Sequence, residues 1–291
     1  MFAKAVALSG QYTRPVIISK YLENKDVQAG IATFVMVNAD GWIVTAAHVL
    51  QGLIDMQNST IQKAAYLKAV EAINANTSYS TKQKKREISQ LKPNLHWITN
   101  HSLWWGVDGI TVKGDATVDP TADLAVAQLT GPIDKLNVTS FPTFANSKGA
   151  VAQGTSLCRL GYPFHDIKAV YDQAKGQFQI PNLPHLAMFP NDGIVTRNVM
   201  TNDNPIKRMV HFIETSTPGL LGQSGGPVFD VEGTVWGLQV RTVHLSLGFS
   251  PKVKVSGKEI VEHQFMHCGW ATHVSHVREL LDRAKVTYQS K

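Results

Sequence analysis

Cysteine is scarce in this chain, with two residues, Cys158 and Cys268, among 291. Two thiols cannot build the disulfide framework of a small secreted domain, and their placement shows no metal-binding spacing. One bridge between them stays open, but two buried, reduced thiols are expected in a chain with no visible export signal. No stretch approaches the ~18 uninterrupted apolar residues of a membrane-spanning helix, so no span is expected. The opening MFAKAVALSGQYTRP has a short apolar patch and no convincing cleavage site. It reads as no secretory leader, and a cytoplasmic location is favoured on that ground. Internal repeats and low-complexity tracts are also missing. Charged residues make up only 17% of the chain against 43% hydrophobic ones, ample for a core. The net charge of +6 has one dense cluster, KQKKRE from Lys82 to Glu87. A solvated helix face accounts for that cluster, so no nucleic-acid partner is expected.

What is present is mostly short strands bounded by turn residues, the pattern of an all-β protein. ATFVMV (Ala32 to Val37) and WIVTAA (Trp42 to Ala47) flank the hairpin signal Asp40-Gly41. DLAVAQL, SLCRLGYP, DGIVTRNV, MVHFIETST and TVWGLQVRT continue the series. Two segments differ. Residues 60–92 are rich in Ala, Lys, Gln and Glu and predict a helical insertion. Near the end, Val274, Val277, Leu280, Leu281 and Ala284 share one face of an expected amphipathic helix. The Pro/Gly/Ser-marked passage from Thr130 to Gly149 suggests a linker, dividing the chain into residues 1–136 and 137–291.

The segment GQSGGPVFD, Gly222 to Asp230, contains Ser224 in two rival patterns. G-x-S-x-G is the nucleophile elbow of α/β-hydrolases, which opens a helix at the serine. Here Pro227 and a strand–turn–strand pattern follow instead, so the elbow reading fails. Upstream, GWIVTAAHVL sets His48 after a strand and two small residues, and PTADLAVAQL puts Asp123 at the mouth of an apolar strand. Asp115 and Asp119 are rival acids, but neither directly opens that strand. Singly, the three residues have plain structural accounts: a glycine turn, a core histidine, a strand cap. Together they stand in the order His, Asp, Ser, as the chymotrypsin arrangement requires.

TAAHV, DLAVAQL and GQSGGPVF resemble the three catalytic motifs of the trypsin-like serine proteases. LGYPF, GIVTRN and the final helix after CGWATHV are most similar to the bacterial Deg/HtrA and glutamyl-endopeptidase branches. The likeness spans roughly residues 30–285. It implies two six-stranded antiparallel β-barrels, here with a helical insertion in the first half and a C-terminal helix. It further implies a serine endopeptidase acting on a polypeptide without cofactor or metal. His48 would be the general base and acid, Asp123 its orienting carboxylate and Ser224 the nucleophile. The backbone N–H groups of Gly222 and Ser224 would form the oxyanion hole. By the same alignment Pro218 and Gly219 border the specificity pocket, Gln239 stands where glutamyl endopeptidases carry histidine, and Val240 and Thr242 offer backbone to an extended substrate. Gln239 and the lack of an aspartate at the pocket floor imply a neutral residue before the scissile bond. Gln223 replaces the aspartate of zymogen-activated relatives, so that switch is not expected, nor is a following PDZ domain. The region 60–105, with Trp97, Trp104 and Trp105, offers either core packing or a surface for a protein partner. The alternative function is therefore a protease-fold binding or scaffold protein, inactive or latent until that partner binds. Finally, His263, His267, Cys268, His273 and His276 tempt a zinc reading, but no helix or C-x-x-C frame makes them converge.

Overall fold

Seven short strands of the first half curl into one sheet. The computed structural model describes residues 1–181, 183 and 185–291. Helix α1 (Ala3–Gly10) precedes strands β1 (Thr13–Leu22), β2 (Val27–Met36) and β3 (Trp42–Thr45). Helices α2 (Ala47–Ala75) and α3 (Thr81–Leu91) intervene before β4 (Ile98–Trp104), β5 (Thr111–Val112), β6 (Thr117–Asp119) and β7 (Leu124–Thr130). The sheet runs β4-β1-β2-β3-β7-β5, with β6 also on β7, and its pairs are antiparallel.

The second half carries β8 (Thr143–Phe144), β9 (Ser156–Gly161), the small hairpin β10 (Val170–Asp172) and β11 (Gln177–Gln179), then β12 (Phe189–Thr201) and β13 (Val210–Thr215). It continues through β14 (Pro227–Phe229), β15 (Thr234–Ser246), the hairpin β16 (Lys252–Val255) and β17 (Lys258–Val261), and β18 (Phe265–His273). Helix α4 (Val274–Arg283) and β19 (Gln289–Ser290) end the chain. Pairing of β14 with both β9 and β15 closes a ring, β14-β9-β12-β13-β18-β15, while β8 and β19 extend it. This is the chymotrypsin-like two-barrel architecture with added helices. Closure matters because an open edge would present unpaired N–H and C=O groups.

One apolar core links the two sheets through Phe34, Val44, Leu124, Phe212, Phe229 and Leu238. The inward face of α4, Val274, Val277, Leu280 and Leu281, packs into it as its 3.6-residue spacing requires. Trp105 is 1% exposed and meets Phe34 edge-on at 5.4 Å, so the core reading holds for it. Trp97 is buried as well, while Trp104 stands half-buried with its indole N–H on Asp108. The helical insertion begins earlier than its composition indicates. Helix α2 starts at Ala47, because its first turn is buried at Ala47, Val49 and Leu50 and reads as strand continuation. Helix α3, which carries the Lys82–Glu87 cluster, buries no residue and is held at its start by a Ser80/Gln83 capping box. Among the described residues no helix is long and apolar enough to cross a membrane.

Trp105 fills the first half's core, so Trp105→Ala is expected to lower unfolding free energy by about 3–5 kcal/mol, read from denaturant melts.

Candidate active site

Strand β3 stops at Thr45 and α2 starts two residues later, which sets His48 in the first turn of a helix at the sheet's end. Asp123 comes from the turn joining β6 to β7. Its φ is +55°, the left-handed region that non-glycine residues seldom occupy. There its carbonyl accepts the Ala47 N–H (3.1 Å) and its Oδ1 accepts the His48 N–H (3.0 Å). The carboxylate faces His48 Nδ1 at 2.9 and 3.1 Å. A carboxylate only accepts, so Nδ1 holds the proton and Nε2 is left as the acceptor. His48 is 45% exposed in its side chain and Asp123 17%, so the pair opens to the surface on the imidazole side.

The Asp123 turn is held from beneath. Asp119 is 5% exposed and accepts the N–H groups of Thr121 and Ala122 at 3.1 and 3.0 Å. Its other oxygen is ion-paired with Arg208, from the turn between β12 and β13. Thr272 Oγ1 donates to the Ala122 carbonyl at 2.6 Å. Both outside contacts come from the second sheet, so the acid-bearing turn is set across the seam. Burial works against the Asp119 carboxylate, yet the Ala122 amide and Arg208 outweigh it and hold its pKa below the usual range. Arg208 continues to Glu279 at 2.8 Å and to His276. Behind it His211 and His273 stack at 4.1 Å, and His276 Nε2 accepts the His211 backbone N–H. Burial pushes all three imidazoles below their ordinary pKa, with the crowding of one imidazole on another and, for His276, Arg208 adding to it, and His273 down to about 3.

Ser224 lies in the β13–β14 connection of the second sheet. Its carbonyl accepts the Thr33 N–H (2.9 Å), and Thr33 Oγ1 donates to the Gly222 carbonyl (2.7 Å), so β2 grips the serine loop. Gly225 has φ +84°, and a Cβ there would lie 2.2 Å from the Thr33 carbonyl and from Thr45 Oγ1. Only glycine lets the loop come this close. Gln223, fully buried, accepts the Leu220 N–H (3.0 Å) and donates to the Phe189 carbonyl (3.2 Å). Its own N–H goes to the Leu220 carbonyl, whereas among the described residues the N–H groups of Gly222 and Ser224 meet no protein acceptor. A cavity of about 520 Å³ is lined by both His48 and Ser224. Ser224 Oγ is not hydrogen-bonded to His48 among the described contacts, although both line the one cavity.

The five expected substrate residues lie on two segments that touch each other, the loop before Ser224 and strand β15. The Pro218 carbonyl accepts from Asn191 (2.7 Å). The Gly219 carbonyl accepts from Thr242 Oγ1 (2.6 Å), which ties one segment to the other. The Gln239 amide packs against Gly219, where a Cβ would fall 2.1 Å from its Nε2. In β15 the register against β18 slips between Gln239 and Arg241, leaving Val240 out of the ladder. One residue escaped sequence reasoning. Arg159, 1% exposed, donates to the Thr217 carbonyl (2.8 Å) and to Thr215 Oγ1. It also abuts Gly269, the cross-strand partner of Thr242. Burial lowers its pKa to about 10, and among the described residues no carboxylate pairs with it. Its guanidinium thus lies buried behind Thr217 and Gly269, next to the two segments that carry the expected substrate residues. Asp119 and Arg208 were equally hidden as a pair, since 89 residues separate them. The remaining candidates scatter. Cys158 and Cys268 are free and buried, His263 meets Ser250, and His267 meets His244.

A two-barrel fold that brings histidine and aspartate from one sheet toward a serine loop on the other defines a serine-peptidase-like protein. Residues 32–238, well over half the chain, match the trypsin-like peptidase domain family, and the chain belongs to that family. It is 27% identical over 144 residues to the uncharacterised protein y4bJ of Sinorhizobium fredii. That match takes in 49% of this chain and 20% of the relative, so the chain spans about a fifth of that relative's length. Among solved structures it is similar to the active form of the Rv3671c protease from M. tuberculosis, at 14% identity and TM-score 0.49, covering 98% of this chain and 86% of that one. The inactive form of the same protease, a serine-to-alanine mutant, matches at 14% identity and TM-score 0.46 over 96% and 89% of the two chains.

The buried histidines make stability pH-dependent. Their folded pKa values lie below the unfolded value near 6.5, so the unfolded chain gains protons that the folded one refuses. The thermal midpoint is expected to fall as pH drops below about 6.5, with a shallower fall in His273→Asn, which calorimetry across pH would check.

Proposed function

We propose that the protein, a serine protease by family, is an endopeptidase in which Ser224 attacks the scissile carbonyl. His48 Nε2 takes the hydroxyl proton and delivers it to the leaving amine, giving an acyl-enzyme that water then hydrolyses. Asp123 orients His48 through Nδ1–H and stabilises the imidazolium. The unpaired N–H groups of Gly222 and Ser224 receive the oxyanion, each such donor being worth about 3 kcal/mol in the transition state. The observation that carries this reading is the Nδ1–carboxylate bond at 2.9 Å, with Ser224 on the same cavity wall. Val240, free of the ladder, supports an extended substrate added as a strand. Beside Pro218–Gly219 and Gln239–Thr242 a neutral side chain before the scissile bond is favoured, and the buried Arg159 guanidinium behind Thr217 and Gly269 disfavours a basic one.

A partner-dependent scaffold is the second reading. It draws on the exposed apolar residues Leu53, Ile54, Ile61 and Leu67 of α2. A fluorophosphonate probe separates the two. Labelling of wild type that is lost in Ser224→Ala is expected. Absence of labelling in folded wild type would leave the scaffold.

The Asp119–Arg208 tie gives a second expectation. Arg208→Met should loosen the Asp123 turn and slow labelling by about tenfold to a hundredfold, short of the ~10⁴ lost when such an acid is replaced outright. Labelling time courses on folded variants would measure it.

A further inference from the structure

The cavity that His48 and Ser224 share is lined otherwise by Ile18, Ala29–Ala32, Phe164–Ile167, Leu220 and Leu221. None of the five residues expected to hold the acyl half of a substrate, Pro218, Gly219, Gln239, Val240 and Thr242, lines it. It is therefore a place separate from those residues, and it reaches His48, the group that would protonate a departing amine. Its surface is apolar apart from His48, Ser224, His165 and Asp166. Two of its apolar residues are held in water: Phe164 is 76% exposed and Leu221 90%. Phe164 also has φ +64°, a strained conformation for a bulky side chain. It is kept there by an edge-on contact with Phe189 at 5.2 Å and by His165, whose Nε2 lies 3.0 Å from the Ala187 carbonyl. Strain and exposure at one place, beside a candidate nucleophile, mark a surface prepared for a ligand. About 520 Å³ admits one or two large side chains.

We propose that this cavity reads the leaving half of the substrate, taking a bulky apolar side chain from the first or second residue after the scissile bond, with Phe164 and Leu221 as the specificity-determining contacts. The inference rests on the serine-endopeptidase reading. The occupant is a polypeptide because the cavity adjoins the group that would protonate a leaving amine, and apolar because its free surface is. Asp166 at the rim stands 3.4 Å from Lys168, so the mouth carries both signs of charge and gives neither sign of substrate charge an advantage.

Acyl transfer isolates this side of the site. A p-nitrophenyl ester acylates Ser224 and releases nitrophenol. An added amino-acid amide then competes with water for the acyl group: its amine forms the new amide bond, the serine ester bond breaks, and Ser224 Oγ regains a proton from His48. The ratio of aminolysis to hydrolysis reports binding on the leaving side alone. Leucine and phenylalanine amides are expected to exceed glycine amide by about tenfold or more, the size set by burying one such side chain. Aspartate and lysine amides should resemble glycine. In Phe164→Ser and Leu221→Ser, both at exposed positions, the apolar preference should shrink toward parity. Equal partitioning of all amides in wild type, or a charged amide in the lead, overturns the proposal without any variant. Absence of a nitrophenol burst that depends on Ser224 would instead overturn the endopeptidase reading, and this inference with it.

Discussion

The contact on which the site depends most is the ion pair between Asp119 and Arg208, because it joins two sheets at the turn that carries Asp123. A non-glycine residue in the left-handed region costs about 1–2 kcal/mol, and a turn free to relax would not keep it there. Asp119 fastens the turn's own amides, Thr272 fastens its carbonyl, and Arg208 fastens Asp119. The strain is thus met by contacts from outside the hairpin. Docking of the two sheets and orientation of the acid become one event, because neither Arg208 nor Thr272 belongs to the sheet that bears His48.

The serine side is built by close approach instead of charge. Thr33 reaches the loop twice, through its N–H to Ser224 and its hydroxyl to Gly222, and Gly225 removes the side chain that would hold β2 away. The approach is so close that a Cβ on residue 225 would fall 2.2 Å from the Thr33 carbonyl, so any side chain there would push β2 and the serine loop apart. Histidine and serine come from different sheets, yet the same strand, β2, runs along the shared cavity and grips the serine loop. That strand fixes the distance across which a proton would pass.

Legibility in the sequence followed locality. That His48, Asp123 and Ser224 belong to one neighbourhood was readable because each sits in a short motif whose neighbours, small residues or glycines, serve the same local geometry. The alternating strands were readable because burial imposes a period of two. The start of α2 was not, because Ala47, Val49 and Leu50 are buried and apolar like the strand before them, and the helical composition becomes visible only beyond Gly52. Arg159 was hidden for another reason. A lone arginine within SLCRLGYP reads as one outward position of a strand, and its burial comes from β13, Thr217 and β18, segments 56 to about 110 residues away. Sequence spacing carries no signal for contacts of that kind. The same holds for Phe164, whose backbone strain arises from what Phe189 and Ala187 do to the loop.

The two halves of the site also differ in how acid should affect them. Gln223 satisfies both ends of its buried amide, to Leu220 and Phe189, without placing any charge beneath the serine loop. Nothing in those two bonds titrates, so this anchorage of the loop carries no pH dependence of its own. The Asp123 turn rests on the opposite chemistry: a buried carboxylate, a guanidinium, Glu279 and three imidazoles kept neutral by burial. A proton added to His276 places a second cation beside Arg208, which already shares its charge between Asp119 and Glu279. Acid should therefore loosen the carboxylate side of the site before it disturbs the serine side. The order follows from where the fold put charge and where it used a neutral amide.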